Sequence, residues 1–291
     1  MSRLLEETKK TLKENNLVPK KSLGQNFLID EVYLKKIIEA SQIKNDEILV
    51  EIGAGLGTLT KELAKRAKRV IAIEKDEKLI NVLKKILQKE KINNIELIQG
   101  DILKIKLPIL DTQQYKVIGN LPFYITAPII RLFLEHENPP KEMILTVQKE
   151  VAQKISQHPP KMNLLAVSVQ IYAKPKIIDY IPKNSFFPKP KIDSAIIKIT
   201  PLNWQKIFIE PPSEFKSKEQ IDILRALFFK IVKIGFSHPR KTIINNLTMG
   251  LNSDKKEIEK WLLACDIQPN QRAETLTIND WVKLTKSYNL K

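Results

Sequence analysis

The stretch that decides the fold is Val50–Gly57, with the sequence VEIGAGLG. It ends an apolar run that is typical of a buried strand and opens an amphipathic segment that is typical of a helix. Glycines at such a turn let the backbone pass close to a ligand and point N–H groups at it. An acidic residue, Glu74, ends the next apolar run about 20 positions after Gly53, where a carboxylate can accept both hydroxyls of a ribose. The pattern predicts a nucleoside-binding edge of a parallel sheet, and a tight turn without a ligand is the alternative.

Strands and helices alternate on both sides of this turn. Strands are predicted at 47–52, 69–74, 95–99, 115–119 and 142–147, and helices at 57–67, 76–89 and 126–135. This alternation predicts βαβ units and a mostly parallel α/β sheet. Period-two alternation over Leu164–Ala173 and Ile192–Thr200 predicts a late antiparallel pair. Residues 1–21 are predicted to form a Lys-rich helix without a strong apolar face.

The character of the sequence changes after residue 200. Pro201, Pro211 and Pro212 interrupt a stretch without a clear period, and helical patterns follow at 219–236, 239–251, 255–265 and 278–288. We therefore predict a sheet domain over residues 1–200, a linker over 201–218 and a small all-helical C-terminal domain over 219–291.

Composition bounds the class of protein. The chain has 291 residues, of which 43% are hydrophobic and 28% charged, as in globular proteins. Its net charge of +16 predicts a polyanionic partner such as nucleic acid, and a generally Lys-rich proteome is the alternative. A lone Cys265, the absence of a long apolar run and the lack of a signal-peptide pattern predict a cytoplasmic protein without a membrane partner. None of the three His residues sits in a motif, so no metal site is predicted.

The spacing of the glycines distinguishes between nucleoside cofactors. The pattern is G-x-G-x-G rather than the dinucleotide G-x-G-x-x-G, and Glu51 would repel a pyrophosphate but tolerates a cationic methionine moiety. These features favour S-adenosylmethionine (SAM). Asp101, which follows the third strand, could accept the exocyclic amine of adenine while Ile102 lies against the ring. An ordinary Gly-Asp turn is the alternative.

The segment Gly119–Tyr124, with the sequence GNLPFY, follows the fourth predicted strand. Methylation of the N6 amine of adenine needs acceptors on its N–H bonds and a flat surface for the base. The amide oxygen of Asn120 and the backbone carbonyl of Leu121 can accept, Pro122 stiffens the turn, and Phe123 can stack on the base. A turn of the Asn-Pro type with a core aromatic is the alternative.

Taken in order, these motifs resemble the KsgA/RsmA family of small-subunit rRNA adenine dimethyltransferases, within the larger group that includes the Erm enzymes. The resemblance runs from about Lys21 to Leu290. Besides the segments above, it rests on LGQNFL at 23–28, QKEVA at 148–152 and SFFPKPKIDSA at 185–195. It implies a Rossmann-like, SAM-dependent methyltransferase domain followed by a helical rRNA-binding domain.

The resemblance also implies roles for single residues. The predicted cofactor-binding residues are Asn26, Leu28, Gly53, Gly55, Glu74, Asp101, Ile102 and Asn120. Phe123 and Phe186 would stack on the flipped target adenine. The predicted RNA contacts are Lys189, Lys191, Arg240 and Lys241. Phe123 stands where Tyr is common in this group, and it keeps the stacking face.

The implied activity is dimethylation of N6 on two adjacent adenosines near the 3′ end of small-subunit (16S) rRNA, in ribosome biogenesis. The family expectation is a monomer that acts on the immature small ribosomal subunit. The segments Phe236–Ile243 and Arg272–Leu276 resemble those of the small-subunit enzymes, and the Erm proteins generally lack the Arg-Ala-Glu signature of the second. An Erm-type 23S rRNA adenine methylase and a non-catalytic rRNA-binding assembly factor stay open as alternatives. A nicotinamide-dependent dehydrogenase is disfavoured by the glycine spacing.

Overall fold

The computed structural model describes residues 2–107, 113–122, 125–203 and 218–288. The chain divides into two compact units, Met1–Ala152 with Pro175–Pro201 and Gln153–Lys174 with Leu202–Lys291. This division differs from the boundary predicted near residue 200, because Gln153–Lys174 belongs to the second unit. Backbone hydrogen bonds tie this segment there: Met162 N–H donates to the Glu274 carbonyl over 2.9 Å, and Leu202 N–H donates to the Tyr172 carbonyl over 2.7 Å.

A mostly parallel sheet of seven strands is the centre of the first unit. Two short strands, β1 (Phe27–Leu28) and β8 (Phe186–Phe187), pair with each other outside it. The sheet strands are β2 (Ile48–Ile52), β3 (Arg69–Glu74), β4 (Ile95–Gln99), β5 (Tyr115–Asn120), β6 (Met143–Gln148), β7 (Ala173–Ile181) and β9 (Ser194–Pro201). Their order is β4-β3-β2-β5-β6-β9-β7, and β9 runs antiparallel to β6. The predicted α/β sheet is confirmed.

Helices precede and follow these strands along the chain, and those after β2, β3 and β5 connect parallel strands. They are α1 (Arg3–Glu14), α2 (Glu31–Ser41), α3 (Thr58–Ala64), α4 (Glu77–Lys89), α5 (Thr126–Leu134) and α6 (Lys149–Ile155). All five residues of β2 are buried, as expected for a central parallel strand covered on both faces. Leu63 of α3 and Leu83 of α4 are fully buried in the same core as Leu49 and Val70 of the sheet. Parallel strands joined in this way bring their carboxyl ends to one edge of the sheet.

Two predictions for the first 200 residues are wrong. The segment Leu164–Ala173 is not a strand: it forms helix α7 (Leu164–Gln170), and the strand β7 begins only at Ala173. The side chain of Asn163 caps this helix by accepting a hydrogen bond from Ala166 N–H over 3.0 Å. Helix α1 does have an apolar face, because Leu4, Thr8 and Leu12 are buried at a spacing of one helical turn.

The second unit contains the predicted helices of the C-terminal region. They are α8 (Lys218–Gly235), α9 (Ile243–Leu251), α10 (Lys255–Ala264) and α11 (Ile278–Ser287). Helix α9 begins four residues later than the predicted start at 239, because Lys241 N–H bonds the His238 carbonyl in a turn and Thr242 is the N-cap. Most of the predicted linker, 204–217, lies outside the described residues. None of the helices in the described ranges is both long and apolar enough to cross a membrane.

Candidate active site

A cleft opens at the carboxyl ends of β2, β3 and β5. Its empty volume, which is open to solvent, is about 820 Å³, within the range of small-molecule sites. The predicted residues that line it are Asn26, Gly53, Gly55, Glu74, Asp101, Ile102, Asn120, Leu121, Pro122 and Phe186. Lining residues that the sequence analysis did not single out are Leu23, Gly24, Gln25, Phe27, Ile52, Ile73, Lys75, Leu79, Gly100 and Ile125. The cleft therefore brings together residues from six separate parts of the chain.

The glycine turn forms one wall of the cleft. Gly53 N–H donates to the Ile73 carbonyl over 2.8 Å and so joins the turn to the neighbouring strand. Gly57 has a φ of +84°, in the left-handed region that favours glycine. A Cβ added there would lie 2.3 Å from Cδ1 of the buried Leu83. Both the backbone conformation and the packing of α4 therefore require a glycine at this position.

The carboxylate of Glu74 is held by backbone N–H groups. Its Oε2 accepts from Gly55 N–H and its Oε1 accepts from Asp76 N–H, each over 2.9 Å. Burial raises the pKa of Glu74, and the hydrogen bonds from Asp76 and Gly55 offset only part of this effect. Each carboxylate oxygen has two lone pairs, so both oxygens keep the capacity to accept from a pair of ligand hydroxyls.

Glu51 is a second buried acid at this edge. Its side chain is almost fully buried, and within the described part of the chain its Oε2 has no hydrogen-bond partner. Burial raises the pKa of Glu51 to about 8; the hydroxyl of Thr60 opposes this rise and the charge of Glu74 adds to it. A buried acid without a cationic partner favours a positively charged ligand nearby, because such a ligand would stabilise the carboxylate form.

Asp101 is paired with Lys75, a residue that the sequence analysis missed. Lys75 Nζ lies 3.0 Å from Asp101 Oδ2, and Leu103 N–H donates to Oδ1 over 3.1 Å. The hydrogen bond from Lys75 is the main reason why the pKa of Asp101 lies below its usual value. Lys75 is the one cationic side chain among the described lining residues. The lining therefore offers no cluster of cations for a pyrophosphate.

The amide of Asn120 is oriented by the N-terminal segment of the chain. Asn120 Nδ2 donates to the backbone carbonyl of Asn26 over 2.9 Å, which leaves Oδ1 as the acceptor of the side chain. Leu121 N–H donates to the Thr146 carbonyl over 3.1 Å and fixes the start of the turn. Phe123, the predicted stacking residue that follows Pro122, lies outside the described residues, as does Tyr124. The stacking role of Phe123 stays a prediction.

Phe186 reaches the cleft through the small β1–β8 pair. Phe186 is opposite Leu28 in this antiparallel ladder, and Phe187 is opposite Phe27. Phe186 lines the cleft, although most of its side chain is buried. Leu28 is buried in the core and is not one of the described lining residues, so its predicted cofactor contact could act only through its backbone or its packing.

The four predicted RNA-binding cations are all exposed, but they belong to different units. Lys189 and Lys191 lie between β8 and β9 in the first unit. Arg240 and Lys241 lie in the turn before α9 in the second, where Lys241 Nζ contacts Met249 Sδ at 3.1 Å. Within the described ranges, no group of three or more His, Cys, Asp or Glu side chains is arranged to hold a metal ion.

The cleft suits transfer chemistry at a weak nitrogen nucleophile. It combines two hydrogen-bonded carboxylates, Glu74 and Asp101, with an oriented amide, Asn120, and an aromatic side chain, Phe186. A nucleoside cofactor that carries positive charge matches the acidic lining, which includes no paired phosphate donors within the described residues. The carboxamide can accept a hydrogen bond from a second base, so two nucleoside-like groups could meet here.

The chain is similar to known proteins over most of its length. The family model described as ribosomal RNA adenine dimethylase matches residues 16–290. A relative named ribosomal RNA small subunit methyltransferase A, from Dehalococcoides mccartyi (strain CBDB1), is 38% identical over 98% of this chain and 94% of its own. The crystal structure of a dimethyladenosine transferase from Plasmodium falciparum matches with a TM-score of 0.72 and 26% identity, over 88% of this chain and 94% of that one. The structure of the 23S rRNA methyltransferase ErmE matches with a TM-score of 0.68 over 90% of this chain and 98% of that one; at 23% identity this likeness shows the fold alone.

Proposed function

This chain belongs to the ribosomal RNA adenine dimethylase family, and from that premise we propose that it methylates N6 of two adjacent adenosines near the 3′ end of small-subunit (16S) rRNA. It is an rRNA adenine dimethyltransferase with S-adenosylmethionine as its methyl donor. The relatives named for the small subunit favour this substrate over 23S rRNA, because they are more than a third identical to the chain over nearly its full length.

The observation that carries the proposal is the composition of the cleft. Asn120, Leu121 and Pro122 line the same cavity as Glu74 and Asp101. Residues that could accept from a target amine are therefore next to residues that could bind a nucleoside cofactor. An RNA-binding assembly factor without catalysis would have no need for this combination.

The residues of the cleft fit the cofactor. Glu74 would accept from the ribose hydroxyls, Asp101 from the adenine amine, and Ile102 would pack against the adenine ring. The buried carboxyl of Glu51, whose Oε2 has no hydrogen-bond partner among the described residues, would favour the cationic end of the molecule. When bound, SAM supplies a methyl group on a sulfonium, which makes that carbon electrophilic.

Asn120 and Leu121 would act on the nucleophile. Their carbonyl oxygens would accept from the two N–H bonds of the target N6, which draws the nitrogen away from conjugation with the ring and towards a pyramidal geometry. Methyl transfer leaves an extra proton on the amine, and this proton would be released to solvent. Phe186, with Phe123, would hold the flipped adenine between two aromatic faces and offset the cost of unstacking it.

The basic side chains outside the cleft would hold the RNA. We assign phosphate contacts to Lys189 and Lys191 beside the cleft residue Phe186, and to Arg240 and Lys241 in the helical unit. Affinity for rRNA should therefore fall steeply with added salt. The proposal includes a monomer that acts in the cytoplasm on the immature small ribosomal subunit.

The test is transfer of labelled methyl groups from SAM to undermodified small ribosomal subunits, followed by mass spectrometry of the nucleosides. N6,N6-dimethyladenosine near the 3′ end of 16S rRNA is the expected product. Methylation of large-subunit RNA alone would replace the proposal by the Erm-type activity. SAM binding without transfer to either RNA would indicate an assembly factor.

A further inference from the structure

Asp76 lies behind the cleft rather than in it. It follows Glu74 by two residues, its side chain is about 5% exposed, and it is not one of the described residues that line the cleft. Its Oδ1 caps helix α4 by accepting from Lys78 N–H over 3.1 Å, while its own N–H donates to Glu74 Oε1. Asp76 therefore connects the start of a helix with the acid that is assigned to the ribose.

The same carboxylate also binds the N-terminal segment. Lys20 Nζ lies 2.9 Å from Asp76 Oδ1 and 2.8 Å from Oδ2, and Gln25 Nε2 donates to Oδ2 over 2.9 Å. The ring is closed by Lys20 N–H, which donates to Gln25 Oε1 over 2.7 Å. Three residues from two distant parts of the chain thus form a continuous hydrogen-bonded cycle. We refer to Lys20, Gln25 and Asp76 as the Asp76 latch.

The segment that the latch holds, residues 20–26, forms part of the cleft. Leu23, Gly24, Gln25 and Asn26 all line it. The carbonyl of Asn26 receives the hydrogen bond that orients the Asn120 amide. Beyond residue 26 the chain is fixed by the β1–β8 pair, so the latch is the anchor at the other end of this wall.

The charges of the latch are well matched. Burial would raise the pKa of Asp76, but the hydrogen bonds from Lys20, Gln25 and Lys78 outweigh it and keep the pKa below its ordinary value. Asp76 is therefore ionised at neutral pH. A buried carboxylate with charge-assisted hydrogen bonds contributes more to the position of a segment than an exposed pair would.

We propose that Asp76 is a positioning residue for cofactor binding: through Lys20 and Gln25 it holds residues 20–26 as a wall of the cleft, without touching the cofactor itself. This inference rests on the proposed function, because it takes SAM as the ligand of the cleft. It assigns to Asp76 an effect on SAM affinity that goes beyond capping α4.

The substitution Asp76→Asn separates these two roles. Asn caps helices as well as Asp does, so Oδ1 can still accept from Lys78 N–H. In place of Oδ2, however, an NH₂ group would face the donors of Gln25 and Lys20, and the charge would be lost. We expect SAM affinity, measured by calorimetry, to fall by about tenfold or more, as for the loss of a hydrogen bond to a charged group.

A second variant tests the pairing directly. Gln25→Glu combined with Asp76→Asn exchanges donor and acceptor: the amide introduced at position 76 is then able to donate to the carboxylate introduced at position 25, which also pairs with Lys20. We expect this double variant to recover most of the lost affinity. The matched control is Asp254→Asn, the same change at the N-cap of α10 in the second unit, where Asp254 accepts from Lys256 N–H over 2.8 Å. Its SAM affinity should equal that of the unmodified chain.

The outcomes separate the inference from the proposed function. Failure of the unmodified chain to bind SAM would overturn the proposed function and, with it, the role given to the latch. If the unmodified chain binds SAM and Asp76→Asn binds it equally well, only the positioning role is overturned. A loss of affinity that Gln25→Glu does not restore would also overturn it, because the loss would then not come from the contacts between position 76 and residues 20–25. Thermal unfolding of all variants shows whether each chain is folded in the calorimeter.

Discussion

The two ends of the central sheet bury acidic side chains in opposite ways. At the amino ends of the strands, Lys116 Nζ lies 2.9 Å from Glu47 Oε2 and 3.0 Å from Glu142 Oε1, and it donates to the Ser41 carbonyl over 2.9 Å. At the carboxyl ends, Glu51 and Glu74 are also buried, but Glu74 accepts from backbone N–H groups, and Glu51 Oε2 has no partner among the described residues. The buried acids at the amino ends are paired with lysine, whereas those at the carboxyl ends have no cationic partner among the described residues.

The pKa values follow this difference. Burial would raise the pKa of Glu47, but its hydrogen bonds to Lys44 N–H and Lys116 more than compensate, and the pKa is lowered. Burial raises the pKa of Glu51 to about 8 because nothing comparable opposes it. The comparison indicates that the buried acids at the amino end stabilise the fold. Those at the carboxyl end lower its stability but are available to a ligand.

The largest effect is expected from removing the lysine that pairs with the buried acids at the amino ends of the strands. Lys116→Met leaves Glu47 and Glu142 buried without their shared cation, so the free energy of unfolding should fall by about 3–5 kcal/mol. Denaturant unfolding monitored by circular dichroism measures this loss. A change below about 1 kcal/mol would mean that the buried network does not stabilise the sheet.

The next largest effect is expected at the glycine turn, where the stability of the carboxyl end should depend on backbone conformation and packing rather than on ion pairs. Gly57→Ala places a Cβ at a φ of +84° and against Leu83, so we expect a loss of about 2 kcal/mol. Gly53→Ala is the matched control, because its Cβ would meet only the Asn120 carbonyl oxygen at an ordinary 3.4 Å. If both variants lost the same free energy of unfolding, the contact with Leu83 would not contribute to the effect of Gly57→Ala.

Much of this edge was predictable from the sequence, because glycines and acids directly follow apolar runs. The Gly53 turn, Glu74, Asp101 and Asn120 all lie where parallel strands end, and this placement needs only the order of the elements. The cleft contacts that join distant segments were not predictable in this way. Lys75 and Asp76 look like ordinary surface residues beside Glu74, and only the fold brings Lys20 and Gln25 to Asp76.

Secondary structure was predicted wrongly where the sequence pattern fits both a strand and a helix, or where a polar residue interrupts an apolar stripe. Leu164–Ala173 alternates as a strand would, yet Asn163 supplies a helix cap, and the buried Ala166, Val167 and Val169 fit the helix that forms. A Thr at the middle position of the α1 stripe, Thr8, concealed the apolar face of that helix. Tertiary burial, rather than propensity, decided both cases.

A different effect, a slope rather than a fixed loss, concerns the pH dependence of stability. Because the pKa of Glu51 is about 8 in the folded chain and about 4.5 when unfolded, the folded chain binds more protons between these values. The free energy of unfolding should therefore fall with rising pH across this window, by up to about 1.4 kcal/mol per pH unit. Glu51→Gln should remove most of this slope, and Glu74, whose pKa is also raised, should supply the rest. Denaturant unfolding at several pH values measures the slope.

The control for this slope is Glu47→Gln at the other end. The lowered pKa of Glu47 means that its stabilising charge is present above its unfolded pKa and is lost only as the pH falls through the folded value. Its removal should leave the slope between about pH 5 and 8 unchanged. If Glu51→Gln and the unmodified chain had the same slope there, the raised pKa of Glu51 would not be the cause of the pH dependence.

The smallest effect is expected for Lys75→Met, the counterpart of Lys116→Met at the opposite end. The ion pair of Lys75 with Asp101 is half exposed on the lysine side, so its loss should change the free energy of unfolding by less than about 1 kcal/mol. The pKa of Asp101 should rise towards its ordinary value, which NMR titration of the carboxyl carbon can follow. If Lys75→Met lowered the free energy of unfolding as much as Lys116→Met does, the two ends of the sheet would not differ in how ion pairs stabilise them.

The central claim is that the carboxyl end of the sheet carries methyl transfer through the oriented amide of Asn120. The most direct measurement compares Asn120→Ala with the unmodified chain at saturating SAM on undermodified small ribosomal subunits, with SAM binding followed in parallel by calorimetry. Transfer should fall by about 10²- to 10³-fold while the variant still binds SAM, because an acceptor used in the transition state is removed. Full transfer activity in Asn120→Ala would contradict the account.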